Sequence, residues 1–141
     1  MTTIAIDHNT ISADGLAVVN GKKVDPSFKK LIKRDGVIYA MAGRIEHCEI
    51  LIDYLSNTSD ELIPDIEGNV IAIENGEVRI YWVNDGVLDS DKVVPPYAIG
   101  SGGEYAYSAL RMGMTSKQAV KHAGEIDINT NTKVTTMTWS K

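Results

Sequence analysis

A threonine that becomes the first residue of a chain carries a nucleophile and a base together. Its hydroxyl can attack a carbonyl while its own α-amine, with a reference pKa of about 7.7–8.0, accepts the proton. The sequence opens Met1-Thr2-Thr3. Methionine aminopeptidases remove an initiator Met that precedes a small residue, so Thr2 is the residue such processing would expose, with no propeptide. The other reactive side chains offer less. His8, His47 and His122 share no H-E-x-x-H spacing, and Cys48, the only cysteine, has too few partners for a thiolate zinc site. All three histidines read as ordinary surface or helix residues. Gly100-Ser101-Gly102-Gly103 precedes a helical stretch and could hold an anion on backbone N–H groups. It is not a dinucleotide fingerprint, because Ala106 takes the place of the last glycine, and no Gly-Lys-Ser/Thr follows to make a P-loop. The G-x-S-x-G elbow that would make Ser101 a conventional nucleophile is also missing.

Short strands and a few helices must position these groups. The first forty residues alternate the apolar runs Thr3–Ile6, Leu16–Val19, Phe28–Ile32 and Val37–Ala42 with the turn pairs Asp14-Gly15, Asn20-Gly21 and Asp35-Gly36, a hairpin pattern. From Ile45 the period changes: Ile45, Cys48, Leu51, Ile52 and Leu55 form the apolar stripe of a helix. The polar segment Ser56–Gly68, which contains Pro64, reads as a loop or a stunted helix. Val70–Ile73, Asn75-Gly76 and Val78–Val83 form the clearest hairpin, and Asn84-Asp85-Gly86 turns into a short strand ending at Ile99. Two helical stretches follow, one striped by Tyr105, Ala109 and Met112, the other by Ala119, Val120 and Ala123 behind a capping box at Thr115 and Gln118. Ile126–Asn129 and Lys133–Trp139 read as a closing strand pair. Strands and helices in blocks, without repeats, predict an α+β fold with helices on the faces of antiparallel sheets.

At 141 residues and 43% hydrophobic composition, residues 1–141 suit one domain with a core that needs neither disulfides nor structural metal. The 14 Lys and Arg against 19 Asp and Glu give a net charge of −5, and the basic residues form no stripe, which argues against nucleic acid as a partner. No apolar run approaches the length of a membrane span and no signal peptide is recognisable, so neither membrane nor export is expected. A single cysteine fits a reducing, cytoplasmic setting.

Several ordered pieces raise the weight of Thr2. Thr2-Thr3-Ile4-Ala5, Ala13-Asp14-Gly15, Phe28-Lys29-Lys30-Leu31, Met41-Ala42-Gly43 leading into a helix, and Ala98-Ile99-Gly100-Ser101-Gly102-Gly103 before a Tyr-Ala helix together resemble the proteasome β-subunit family of N-terminal-nucleophile hydrolases, its bacterial HslV-like branch most of all. The resemblance continues through Ala123-Gly124-Glu125-Ile126 to Asn129-Thr130-Asn131, nearly the whole chain in order. It implies a four-layer αββα sandwich in a shortened form, because the Ser56–Gly68 segment stands where the family carries a second full helix.

The resemblance also implies roles. Thr2 matches the nucleophile, Asp14 the acidic residue of the first turn, and Lys30 the lysine beside the nucleophile, whose ammonium favours the alkoxide while Asp14 holds it. Lys29 alternates to the opposite face of that strand. Gly43 matches the glycine whose N–H forms the oxyanion hole, with Met41 and Ile45 flanking it as substrate-binding residues. Arg44 stands where the family usually has a second glycine, so a long cation would narrow or charge the groove. Ser101 matches the serine near the α-amine, oriented by Asp127 and Thr130. The chemistry implied needs no cofactor, although the carbonyls of Gly124, Asp127 and Thr130 match a site for a structural monovalent or divalent cation. The function implied is a threonine endopeptidase in a homo-oligomeric ring, supplied with unfolded protein or peptide substrates by a separate ATP-dependent unfoldase. Two alternatives stand beside it: a catalytically silent assembly protein that retains Met1, and an N-terminal-nucleophile amidohydrolase for a small amide.

Overall fold

Alternation along the strands sends successive side chains to opposite faces, and in this chain both faces are covered. In β1 (Thr3–Ile6), Ile4 and Ile6 face one apolar cluster while Ala5 faces another. In β6 (Val37–Gly43), Ile38, Ala40 and Ala42 face the first cluster, whereas Tyr39 and Met41 face a third. Such strands belong to the middle of a layered sandwich. The computed structural model describes residues 2–19, 22–25 and 27–140.

The elements between and after these are β2 (Thr10–Asp14), β3 (Ala17–Val19), β4 (Lys22–Asp25), β5 (Leu31–Arg34), α1 (Ile45–Leu55), β7 (Gly68–Glu74), β8 (Glu77–Asn84), β9 (Val87–Val93), β10 (Tyr97–Gly100), α2 (Gly103–Arg111), α3 (Ser116–Ile126) and β11 (Val134–Thr138). One sheet has the order β10-β1-β2-β11 and the other β5-β6-β7-β8-β9, with every pairing antiparallel. β3 and β4 form a separate ribbon. Helix α1 lays Cys48, Leu51 and Ile52 on the outer face of the five-stranded sheet, and α2 and α3 lay Ala106, Ala109, Ala119, Val120 and Ala123 on the outer face of the four-stranded one. The largest cluster, from Ile4 to Val93, fills the space between the sheets. Helix, sheet, sheet and helix pair give the expected αββα sandwich. Among the described residues no helix is long and apolar enough to cross a membrane.

Several elements depart from the sequence pattern. Asp14-Gly15 is not a hairpin turn; Asp14 ends β2, a strand whose two apolar residues, Ile11 and Ala13, are too few to make an apolar run and whose polar face is also largely buried. Beneath α3, Asp7 accepts from the Thr10 hydroxyl at 2.6 Å and from the Ser116 amide at 2.9 Å. Thr10 and Ser116, Ser116 and Ser12, and Ser12 and Thr136 then link hydroxyl to hydroxyl at 2.7–2.8 Å. The strand expected to end at Ile99 is two strands in different sheets, separated at Pro95-Pro96, where no backbone N–H continues a ladder. Ile126–Asn129 is the end of α3 and a turn, so β11 pairs with β2 instead. The Thr115–Gln118 capping box and the Asn75-Gly76 hairpin form as expected. The Asn20-Gly21 turn lies outside the described residues.

In place of a second helix, Ser56–Glu67 runs as an irregular strap over the outer face of the five-stranded sheet. It adds Leu62, Ile63 and buried Ile66 to the α1 core. The strap is tied to the β8–β9 turn by Gly86 N–H to the Pro64 carbonyl at 2.8 Å and Asp85 N–H to Asp65 Oδ1 at 2.9 Å.

Candidate active site

The start of β1, the end of β2, the approach to β5 and the turn after α3 converge at one end of the sandwich, and the approach to β5 is paired with β6 two residues before Gly43. Asp14 is at their centre. One of its oxygens, Oδ1, accepts the Lys30 ammonium at 2.9 Å and the Thr3 amide at 3.0 Å. The other, Oδ2, accepts the Leu16 amide at 3.2 Å and the Asn131 amide at 3.3 Å. The Lys30 and Asp14 side chains are only 2% and 0% exposed, so the ion pair is removed from water. Lys30 directly precedes β5 rather than lying within a strand, yet its carbonyl takes the Met41 amide at 3.0 Å and extends the pairing. Lys29 is exposed while Lys30 is buried, the alternation expected. Burial lowers the Lys30 pKa, and the attraction and hydrogen bond of Asp14 oppose the shift without cancelling it.

Thr2 immediately precedes β1 and is buried. Its neighbour Thr3 donates its amide to Asp14, so the peptide that follows Thr2 and the Lys30 ammonium share one carboxylate oxygen. Gly100, at φ +99°, lies so close that a Cβ there would overlap the Thr2 carbonyl oxygen, and a Cβ on Gly102 would strike Thr3 Oγ1. These two glycines let β10 and the start of α2 close over residues 2 and 3. The cluster is thus explained by close approach, without an anion.

On the other side of Thr2, Asp127 Oδ2 accepts from both Ser101 Oγ and Thr130 Oγ1 at 2.6 Å, and its Oδ1 takes the Asn129 amide at 3.3 Å. Partial burial works against ionisation of Asp127, but these hydrogen bonds outweigh it and hold the carboxyl below the usual range. An ionised carboxylate only accepts, which fixes the protons of the cluster. Thr130 gives its hydroxyl proton to Asp127, so the 2.7 Å contact between Thr3 and Thr130 is donated by Thr3. Ser101 likewise uses its proton on Asp127, leaving its lone pairs to accept; its 3.5 Å contact with the Thr2 carbonyl is much the longer one.

Gly43 ends β6 at φ +119°, opposite Gly68 in the neighbouring strand. A Cβ there would stand 2.5 Å from the Gly68 Cα and 2.6 Å from the Glu67 carbonyl oxygen, both backbone atoms that cannot step aside. Gly43→Ala should therefore lower stability by about 2 kcal/mol or more, seen as a drop in the urea midpoint, and should abolish any activity that uses the Gly43 amide. An Ala variant of unchanged midpoint would show that the two strands are free to separate. Arg44 does not enter a groove; its guanidinium meets Glu46 at 2.8 Å and Glu67 at 3.7 Å on the surface. Met41 is 2% exposed and packed in the α1 core, whereas Ile45 is half-buried and offers part of its surface beside Gly43.

The Gly124, Asp127 and Thr130 carbonyls lie at the C-terminal end of α3 and in the turn after it. Neutral oxygen donors at a helix C-terminus suit a hard cation, and the Asp127 carbonyl, which accepts the Thr130 amide at 3.1 Å, keeps a second lone pair. Two contributors were not singled out from sequence. Asn131 gives its amide to Asp14 and accepts the Gly15 amide on its side chain at 3.0 Å, and Leu16 supplies a further donor to Asp14. No pattern marks them, because both reach Asp14 through backbone amides brought to it by tertiary structure.

No protein-family model and no curated protein sequence matches this chain. Solved structures do. Eukaryotic HslV from Trypanosoma brucei is similar over 97% of each chain, at 19% identity and a TM-score of 0.71. Thiobacillus denitrificans BPH matches over 98% of this chain and 96% of its own, at 19% identity and a TM-score of 0.72. The same BPH in complex with epoxomicin matches over 98% and 97%, at 18% identity and a TM-score of 0.71.

Proposed function

We propose that this chain, which has the HslV-like N-terminal-nucleophile fold of the proteasome β-subunits, is a threonine endopeptidase whose nucleophile is Thr2 after removal of Met1. The observation that carries the reading is the buried Lys30–Asp14 pair, anchored to the amide directly after Thr2. Burying a lysine is costly and an apolar pair would stabilise the core as well, so a fixed cation beside residue 2 calls for an electrostatic use.

In this reading the Thr2 hydroxyl passes its proton to the free α-amine as its oxygen bonds to the scissile carbonyl carbon. The Lys30 ammonium favours the developing alkoxide, and the Gly43 N–H receives the oxyanion. The α-ammonium then returns its proton to the leaving amine, giving a Thr2 ester that water hydrolyses with the same amine as base. Ser101, its own proton held by Asp127, accepts an N–H of the α-amine and so aims the nitrogen lone pair at the hydroxyl; Thr130 fixes Asp127. A cation held by the Gly124, Asp127 and Thr130 carbonyls would add charge and rigidity to that turn. Ile45 supplies apolar surface beside Gly43, in keeping with apolar substrate side chains. Ile126 and Ile128, 48% and 82% exposed, flank Asp127, and large apolar side chains open beside the site suit cover by a neighbouring subunit of a homo-oligomeric ring. The ring would take unfolded polypeptide from a separate ATP-dependent unfoldase in the cytoplasm.

The test is covalent. BPH is known in complex with epoxomicin, and an epoxyketone closes a ring using both the hydroxyl and the free amine of an N-terminal threonine. Protein made in cells with methionine aminopeptidase should lack Met1 by intact mass and gain one epoxyketone. Thr2→Ala should abolish the adduct with Thr3 still in place. A chain that keeps Met1 and stays unlabelled has an amide at Thr2 where the base should be, and would be the silent assembly protein instead.

A further inference from the structure

We propose that His47 is a positioning residue for the Gly43 amide; the inference rests on the peptidase reading above and adds a residue to it. His47 lies in the first turn of α1, four residues after Gly43. Its ring reaches across to a segment twenty residues away, where Nδ1 accepts the backbone amide of Glu67 at 3.0 Å. A backbone N–H can only donate, so Nδ1 is the acceptor in this contact.

The partner explains the consequence. Glu67 uses both of its backbone groups on the residues after Gly43: its amide goes to His47 and its carbonyl takes the Arg44 amide at 2.7 Å. The next residue, Gly68, pairs with Gly43 and packs against it so closely that neither position has room for a side chain. Gly43, Arg44, His47, Glu67 and Gly68 thus form a closed clamp that fixes the backbone on the C-terminal side of Gly43 against the start of β7, and with it the orientation of the Gly43 N–H one peptide earlier. Arg44 contributes a backbone N–H that any non-proline residue could offer. The amide of Glu67 needs an acceptor projecting from the first turn of α1, and the histidine ring supplies it. The Glu67 side chain is 72% exposed. With His47 gone, water could satisfy the Glu67 amide, so the fold would survive while the edge of the clamp loosened. An oxyanion donor works by being held in place before charge develops, and small displacements reduce its effect.

The experiment compares wild type, His47→Ala and His47→Asn, all with Met1 removed, on a fluorogenic peptide with an apolar residue before the scissile bond. Amide hydrogen exchange is followed at Glu67 and Gly68. Asn places Oδ1 near the position of the histidine Nδ1 and can accept the same N–H. His47→Ala should lower kcat roughly tenfold with KM within about twofold, because the clamp acts on the transition state and not on binding. His47→Asn should recover most of the loss, and exchange at Glu67 should quicken in the Ala variant alone. Unchanged kcat in His47→Ala, an effect on KM alone, or equal losses in the Ala and Asn variants would overturn the proposal. A wild type that cleaves no peptide would overturn the peptidase reading instead. Exchange would then decide the clamp by itself: faster exchange in His47→Ala supports it and unchanged exchange refutes it.

Discussion

Lys30→Ala should lower peptide hydrolysis by roughly 10²–10³-fold, the usual cost of removing one preorganised electrostatic partner of a developing anion. Lys29→Ala, at an exposed position one residue away, should leave the rate within about twofold. The comparison controls for net charge, because each substitution removes one cation. A pH dependence goes with it. Burial lowers the Lys30 pKa, so the ammonium that favours the alkoxide is lost at a lower pH than for a free lysine, and the alkaline limb of kcat should fall earlier for that reason. Stability moves the other way. Between the folded and unfolded pKa values the unfolded chain binds a proton that the folded chain has released, so raising the pH through that window increases Lys30's contribution to stability. Equal kcat in Lys30→Ala and wild type would remove Lys30 from the mechanism.

Asp14→Ala should be the most destabilising single change at the site. It removes the acceptor of Lys30, Thr3, Leu16 and Asn131 at once and leaves a lysine 2% exposed without its counter-charge. Breaking a buried pair in this way costs about 3–5 kcal/mol, readable from the urea midpoint. Asp14→Leu combined with Lys30→Met should regain the part of that stability due to the uncompensated lysine charge, but not the part due to the acceptor lost by the Thr3, Leu16 and Asn131 amides, and should remain inactive. If Asp14→Ala alone unfolds at the wild-type midpoint, the ion pair carries no structural weight.

The parts of this molecule that were legible in the sequence are those where side-chain pattern and backbone agree. The α1 stripe, the Asn75-Gly76 hairpin and the Thr115–Gln118 box each announce themselves within a dozen residues, and each forms. The ordered motif set brought Asp14, Lys30, Ser101, Asp127 and Thr130 to the fore, and the fold gathers them around residues 2 and 3. What the pattern misread has a common cause. β2 looks like the approach to a turn because Ile11 and Ala13 are its only apolar residues, too few to make a run, while Thr10, Ser12 and Asp14 find their polar partners only in the folded molecule. His47 read as an ordinary helix histidine because its partner is a main-chain N–H, which has no sequence signature at any distance. Met41 is the substrate-binding residue that the family resemblance implies beside Gly43, but the pleat turns it toward α1.

The strap between α1 and β7 divides the molecule by the effort needed to open it. Its later part is fastened, with the Ile66 amide on the Val83 carbonyl at 3.2 Å and Pro64 and Asp65 on the β8–β9 turn. From Asn57 to Ile63 the backbone hydrogen bonds given by Asn57, Thr58 and Ser59 all return to the end of α1, to Tyr54 and Asp53. That stretch can lift away without parting a single pair of strands, baring Leu62 and Ile63 while Ile66 stays in place. A full helix there would have to unwind or swing as one body, whereas the strap yields residue by residue against a few apolar contacts. Excursions here are therefore sub-global, and they leave the far side of the sandwich, where β1 and β2 carry the Thr3–Asp14 contact, closed.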